Sequence, residues 1–149
     1  EALVNKGKET PLSVEDLTTA QSIIEEATTY EKTMEKTRTW YLRGYVYKFI
    51  YEAETEFNGV SKPDAIKKSA DSFNKALDLG KETDTYVLFA NQEVEQLWSN
   101  LLNSGVEAYQ AGELGDAVKF FEYTSLVKPA DTTGYLYAAS AAADSENYE

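Results

Sequence analysis

The side chains that could perform acid–base chemistry in this chain are carboxylates, because the sequence contains 26 Asp and Glu residues and no His. A catalytic dyad needs two such groups placed together on one face of the fold. The closest candidates are adjacent or two residues apart, namely Glu25 with Glu26, and Glu52, Glu54 and Glu56. Residues at these spacings on a helix point to different faces. We therefore interpret both groups as solvated surface.

Other reactive groups and metal ligands are equally scarce. The absence of Cys excludes disulfides and thiolate metal sites, and the absence of His removes the commonest general base and metal ligand. Asp64, Asp71 and Asp78 recur seven residues apart, which marks the wet face of one helix. The sequence contains no calcium-loop spacing and no glycine-rich phosphate loop. It predicts a protein that is not an enzyme, with no catalytic residue, metal site or cofactor.

Composition and charge narrow the class of partner. The chain has 149 residues, which suits one domain, and 42% of them are hydrophobic. A net charge of −12 repels phosphate backbones, so nucleic acid is not an expected partner. We interpret the charge chiefly as a solvated surface, and the alternative is an acidic surface that steers a basic partner. No run of about 18 apolar residues occurs, so the sequence predicts no membrane-spanning helix.

Apolar residues follow a helical period along most of the chain. In the longest segment, Thr85 to Ala111, they stand three, four or seven residues apart: Val87, Ala90, Val94, Leu97, Leu101 and Ala108. Further helices are expected at the start of the chain, after Ser13, from Arg38 to Glu56, after Pro63, from Leu114 to Val127, and from Thr132 to Ala143. The sequence therefore predicts an all-α protein with about seven helical segments.

Capping residues predict where these helices begin and end. Ser13 precedes Asp16 by three residues, which is the spacing of a helix N-terminus. Ser61 and Asp64 bracket Pro63, whose missing N–H is harmless in a first turn. The predicted stops are Gly80, Gly112 and the run Phe57-Asn58-Gly59.

Residues of similar type recur with a period of 34 residues near the C-terminal end of the sequence. They form pairs: Leu101 with Tyr135, Gly105 with Ala139, and Ala108 with Ala142. Such a period, with small residues at fixed offsets, indicates a repeated helix–turn–helix unit. The first unit resembles a tetratricopeptide repeat at Leu101, Gly105, Tyr109, Gly112, Ala117, Phe121 and Pro129.

The resemblance extends upstream and downstream. Trp40, Gly44 and Tyr47 resemble the first helix of a repeat, and Ser69, Phe73 and Ala76 resemble the second. The next unit resembles the family at Tyr135, Ala139 and the closing Asn147-Tyr148. In this family a glycine in the first helix admits a small residue of the second, roles that fall to Gly105 and Ala117.

The resemblance implies a right-handed α-solenoid of antiparallel helix hairpins. Its expected divisions are a partial first repeat (1–36), a second repeat with an insertion (37–80), a third with an extended first helix (81–130) and a truncated fourth (131–149). The inner faces of the first helices would line a concave groove. By position, those faces carry Arg38, Tyr41, Tyr45, Lys48, Ser99, Leu102, Val106, Tyr109, Thr133, Leu136 and Ser140.

The sequence allows two alternatives for this groove. Either it binds an extended peptide or a partner helix, or the long inserted helix folds over it and fills it. The expected function is a non-enzymatic protein-interaction scaffold. The alternatives are a structural module of a larger repeat protein that self-associates through its solenoid ends, and a carbohydrate- or envelope-associated binding protein. Lys36 to Gly44 resembles exported repeat proteins of Bacteroidetes, which favours a periplasmic or exported location.

Overall fold

A computed structural model describes residues 1–53, 57 and 59–146. Within those residues, the regular secondary structure consists of seven α-helices, which confirms the predicted all-α class. They are α1 (Ala2–Glu9), α2 (Val14–Thr29), α3 (Thr37–Glu52), α4 (Lys62–Leu79), α5 (Thr85–Gln110), α6 (Leu114–Val127) and α7 (Thr133–Glu146). The residues named above that lie outside the described part are Glu54, Glu56, Asn58, Asn147 and Tyr148.

The predicted helix starts are confirmed by their hydrogen bonds. The Ser13 hydroxyl accepts the N–H of Asp16 at 3.1 Å, and the Asp16 carboxylate accepts the N–H of Ser13 at 3.3 Å. This capping box satisfies two of the free donors at the start of α2. At the start of α4, the Ser61 hydroxyl accepts the N–H of Asp64 at 3.3 Å, with Pro63 in the first turn.

Helix α3 ends earlier than its sequence predicts. The expected end was Glu56, but the helix stops at Glu52 and Ala53 has an extended backbone. The Lys62 ammonium donates to the carbonyl oxygens of Tyr51 and Ala53, at 3.1 and 3.3 Å. A cation at the C-terminus of a helix satisfies carbonyls that another helical turn would otherwise use. A residue distant in sequence therefore stabilises this end.

The chain divides into two compact units, Glu1–Glu93 (unit 1) and Val94–Glu149 (unit 2), and the division falls within α5. Unit 1 contains α1 to α4 and the first part of α5. Unit 2 contains the rest of α5 with α6 and α7. One core cluster of unit 2 consists of Ala108, Ala117, Phe121 and Ala141, against which further apolar side chains pack: Leu102, Val106, Val118, Phe120 and Ala138.

Each unit contains one helix hairpin closed by a glycine and a phenylalanine. A Cβ atom on Gly44 of α3 would lie 2.4 Å from the Phe73 ring of α4. A Cβ atom on Gly105 of α5 would lie 2.5 Å from the Phe121 ring of α6. The ring of Phe121, rather than the predicted Ala117, is therefore the group nearest to the Cβ position of Gly105. Glycine is required at both places because any side chain would displace the ring.

Candidate functional site

The groove positions predicted on α3 lie inside unit 1. Tyr41 and Tyr45 are buried, with Tyr45 only 7% exposed. The Tyr41 ring contacts two rings of α5, Tyr86 at 5.4 Å and Phe89 at 6.1 Å between centroids. From α1, the Lys8 ammonium lies 4.1 Å from the Tyr45 ring centroid. Helices α1 and α5 therefore cover these two tyrosines, as in the filled-groove alternative.

Beneath this cover lies a buried ion pair. The Lys48 ammonium of α3 is 2.8 Å from a Glu93 carboxylate oxygen of α5, and both side chains are mostly buried. The Tyr45 hydroxyl donates to the other Glu93 oxygen. Burial, and next the Glu93 carboxylate, raise the pKa of Tyr45 above its usual range. Because each polar group has a partner, the cluster stabilises one packing of α5 on α3.

Glu93 was missed by the sequence analysis, although its spacing contained a signal. It follows Ala90 by three residues and precedes Leu97 by four, so it lies on the apolar face of α5. A carboxylate on such a face is buried only when a cation pairs with it or a hydrogen-bond donor contacts it. Its partners, Lys48 and Tyr45, were both predicted to face a groove instead.

The opposite side of α3 carries a second polar cluster. Glu25 of α2 accepts from the Arg43 guanidinium at 2.9 Å and from the Tyr47 hydroxyl at 2.8 Å. Arg43 also donates to the Ser72 hydroxyl of α4 at 2.7 Å. Glu25 is thus an acceptor that links α2 to α3, rather than merely a solvated carboxylate. Arg38, the remaining groove position of α3, forms an exposed ion pair with Glu1.

The groove positions predicted in unit 2 are more open. Leu102 and Val106 are half-buried against the core, and Tyr109 is 40% exposed. A cavity of about 380 Å³ separates the last turns of α5 from α7, above the Phe121 ring of α6. Its lining brings together three predicted groove positions, Val106, Tyr109 and Ser140, and three further residues, Gln110, Phe121 and Tyr137.

A second cavity, of about 620 Å³, adjoins the first and shares Tyr109 and Gln110 with it. Its other lining residues are Gly112, Leu114 and Asp144. The Tyr109 hydroxyl donates to the Asp144 carboxylate, which links α5 to α7. We call the two cavities together the α5–α7 cleft.

Helix α7 presents different residues to the cleft and to solvent. Tyr137 lines the cleft, where its ring stacks on Phe121 with centroids 5.3 Å apart. The predicted groove residues Ser99, Thr133 and Leu136 line neither cavity. Leu136 is largely exposed, as is Tyr135. Tyr137 precedes Ser140 by three residues, so helical periodicity from Ser140 would have placed it in the groove.

The cleft is lined by apolar surface and a few polar groups. Among its described lining residues it offers aromatic and aliphatic surface, the hydroxyls of Tyr109, Tyr137 and Ser140, the amide of Gln110 and the carboxylate of Asp144. Across residues 1–53, 57 and 59–146, no cluster of three or more acidic, His or Cys side chains could hold a metal ion. Over the same residues, no helix combines the length and the apolar character needed to cross a membrane.

Comparison of the chain with protein-family models, with curated proteins and with solved structures returns no significant match.

Proposed function

We propose that this chain is a non-enzymatic, tetratricopeptide-type scaffold that binds a peptide or a partner helix in the α5–α7 cleft. Two packing features support the family assignment. Each hairpin is closed by a first-helix glycine against a second-helix phenylalanine, at Gly44 with Phe73 and at Gly105 with Phe121. The helix boundaries around Gly112 also agree with the repeat pattern.

The observation that carries the proposal is the exposed aromatic surface of the cleft. Tyr109 and Tyr137 stand on facing helices and are both substantially exposed, while Phe121 and Val106 form an apolar floor. Tyrosine supplies a large contact area and loses little side-chain entropy on binding. A concave apolar surface with a few polar groups is typical of a binding site.

The equivalent surface of unit 1 supports a structural role. Tyr41 and Tyr45 are covered by α1 and α5, and Lys48 is held by Glu93. A partner could reach these side chains only by displacing α5 and separating a buried ion pair. The proposal therefore assigns binding to the unit 2 part of the predicted groove.

A matched pair of tyrosines on α7 tests the proposal. Tyr137 lines the cleft at 48% exposure, and Tyr135 lies outside it at 54%. Peptides are selected from a random display library on the wild-type chain, and their dissociation constants are then measured with each variant. We expect Tyr137→Ala to weaken binding about tenfold, the loss of one contact of roughly 1.4 kcal/mol. Tyr135→Ala should leave the affinity within about twofold.

The proposal fails if no peptide is enriched, or if the two variants weaken binding equally. Circular dichroism and thermal melting of both variants provide the control. A Tyr137→Ala variant that melts with wild type but loses the peptides identifies a binding residue rather than a packing residue.

A second candidate function, self-association, is supported by the outer face of α7. Tyr135 and Leu136 are adjacent and largely exposed, and Ala139 and Ala143 follow on the same helix, also exposed. Contiguous apolar surface of this kind marks a contact site. Light scattering across concentration tests it, and Leu136→Glu should abolish any concentration-dependent increase in mass. A constant monomer mass for the wild type would exclude it.

A further inference from the structure

We infer that the α5–α7 cleft selects a basic peptide, in which an apolar side chain stands next to a Lys or Arg. This inference rests on the proposed function and adds the chemistry of the partner. It comes from two observations that are independent of each other. One is the distribution of charge between the two units, and the other is the different chemistry of the two adjoining cavities.

Unit 2 is the more acidic part of the chain for its size. Its residues include nine Asp or Glu and two Lys, with no Arg, so its net charge is −7 of the total −12. Both lysines are engaged within the unit, Lys119 with Asp116 at 2.7 Å and Lys128 with Glu95 at 2.6 Å. The net field of unit 2 therefore attracts cations and repels anions.

The first cavity is suited to an apolar side chain. Val106, Phe121 and Tyr137 provide aliphatic and aromatic contacts, and its polar groups are neutral. An apolar anchor buried here would be stabilised by the removal of its surface from water. None of the lining residues that the structure describes is charged, so a charged side chain would be desolvated here without compensation from them.

The second cavity is suited to a cation. Asp144 supplies a carboxylate at its edge, and the Tyr109 ring forms the boundary with the first cavity. A Lys or Arg side chain placed here can pair with Asp144 and lie against an aromatic face. The Tyr109 hydroxyl already holds this carboxylate in position, which lowers the cost of ordering it. Because the cavities adjoin, neighbouring side chains of one peptide can fill both.

Three synthetic peptides of identical length test the inference. All carry the same Leu and Trp residues, and the positions between them are Lys, Gln or Glu. We expect the Lys peptide to bind the full chain at least about tenfold more tightly than the Gln peptide, with the Glu peptide weakest. The affinity of the Lys peptide should fall as the salt concentration rises from about 0.05 to 0.5 M, because screening shortens the reach of these charges.

Two charge-neutralising variants separate a specific contact from general attraction. Asp144→Asn removes the carboxylate of the second cavity, whereas Glu122→Gln removes an exposed carboxylate of α6 that lines neither cavity. Both raise the net charge by one. We expect Asp144→Asn to weaken the Lys peptide about two- to fivefold, and Glu122→Gln to change its affinity by less than about 1.5-fold.

The outcomes distinguish this inference from the function on which it rests. If the three peptides bind equally and Tyr137→Ala weakens all of them, the cleft binds peptides but has no charge preference, and the inference is wrong. If library peptides bind in a Tyr137-dependent manner but the Lys peptide does not, the inference is also wrong and the proposed function stands. Failure of the library selection itself overturns both. Equal losses from Asp144→Asn and Glu122→Gln would contradict the assigned contact.

Discussion

The hairpins α3–α4 and α5–α6 are closed in the same way but differ on their opposite faces. In each, a glycine of the first helix meets a phenylalanine ring of the second. Counted from that glycine, Tyr41, Tyr45 and Lys48 of unit 1 correspond to Leu102, Val106 and Tyr109 of unit 2. The unit 1 set is covered by α1 and α5, whereas Tyr109 of unit 2 is 40% exposed and lines a cleft.

The closing contact therefore determines the hairpin, and neighbouring helices determine whether its opposite face is accessible to a partner. In unit 1 the cover requires a charge to be buried, and Glu93 is accepted there because Lys48 and Tyr45 meet it. The buried ion pair fixes one packing of α5 on α3, and the covered face of α3 is then inaccessible to a partner. In unit 2 the corresponding face remains partly exposed, at Tyr109. Four predictions, in order of decreasing effect, test how far this contrast holds.

The largest effect is expected at the buried ion pair of unit 1. Glu93→Ala leaves the Lys48 ammonium without its partner and the Tyr45 hydroxyl without its acceptor, at a cost of about 3–5 kcal/mol in the free energy of unfolding. Glu95 is the matched control, because it stands two residues later with a 56% exposed side chain paired to Lys128. Glu95→Ala should cost at most about 1 kcal/mol. Urea denaturation measures both, and similar losses would contradict the contrast.

The two closing contacts should respond alike. Gly44→Ala and Gly105→Ala each place a Cβ within 2.4 to 2.5 Å of a phenylalanine ring, so each should lose about 1–3 kcal/mol of stability. Gly115→Ala on α6 is the control, because nothing lies within 4 Å of its Cβ position. That change should be neutral or stabilising. The two hairpins are not closed in the same way if Ala lowers the free energy of unfolding at one glycine and leaves it unchanged at the other.

Two tyrosine hydroxyls at corresponding faces should differ in their contribution. Tyr45→Phe removes a buried donor to Glu93 and should cost about 1–3 kcal/mol. Tyr109→Phe removes an exposed bond to Asp144 and should cost less than about 1 kcal/mol. Thermal melting monitored by circular dichroism compares them. A larger loss at Tyr109 would mean that the cleft carboxylate is structural.

The smallest effect concerns two helix starts, one in each unit. The Lys6 ammonium, followed by the Ser13 hydroxyl, lowers the pKa of Asp16, and the Thr133 hydroxyl and N–H lower the pKa of Asp131. A carboxyl whose pKa is lower in the folded state stabilises it above the unfolded pKa of about 3.9. That contribution disappears as pH falls through the folded pKa. Asp16→Asn and Asp131→Asn should therefore each flatten the decline of melting temperature in acid. If the melting temperature of the variants depends on pH as that of the wild type does, the protonation of these two carboxyl groups is not coupled to folding.

Local features of the sequence were predicted well, because their causes are local. The bounds of α6 agree with the predicted Leu114 to Val127, and the capping box at Ser13 is formed as expected. Periodicity and capping depend on residues within one or two turns, so the sequence alone contains the information. The end of α3 at Glu52 was missed because Lys62, ten residues later, caps it.

The candidate site was predicted only in part, because accessibility depends on helices distant in sequence. Val106, Tyr109 and Ser140 do line one cleft, as their helical positions indicated. The cover over Tyr45 comes from Lys8 and Glu93, which stand 37 residues before it and 48 after it. Nothing in the spacing around Tyr45 distinguishes a covered face from an open one.

The most direct test of the account is the solvent accessibility of corresponding tyrosines in the unmodified chain. Hydroxyl-radical footprinting read by mass spectrometry measures the oxidation rate of each side chain under native conditions. The account predicts that Tyr109 and Tyr137 are oxidised several-fold faster than Tyr41 and Tyr45, which are buried in unit 1. Equal rates, or faster oxidation of Tyr45, would show that the face of α3 is open and would contradict the division into a covered and an available surface.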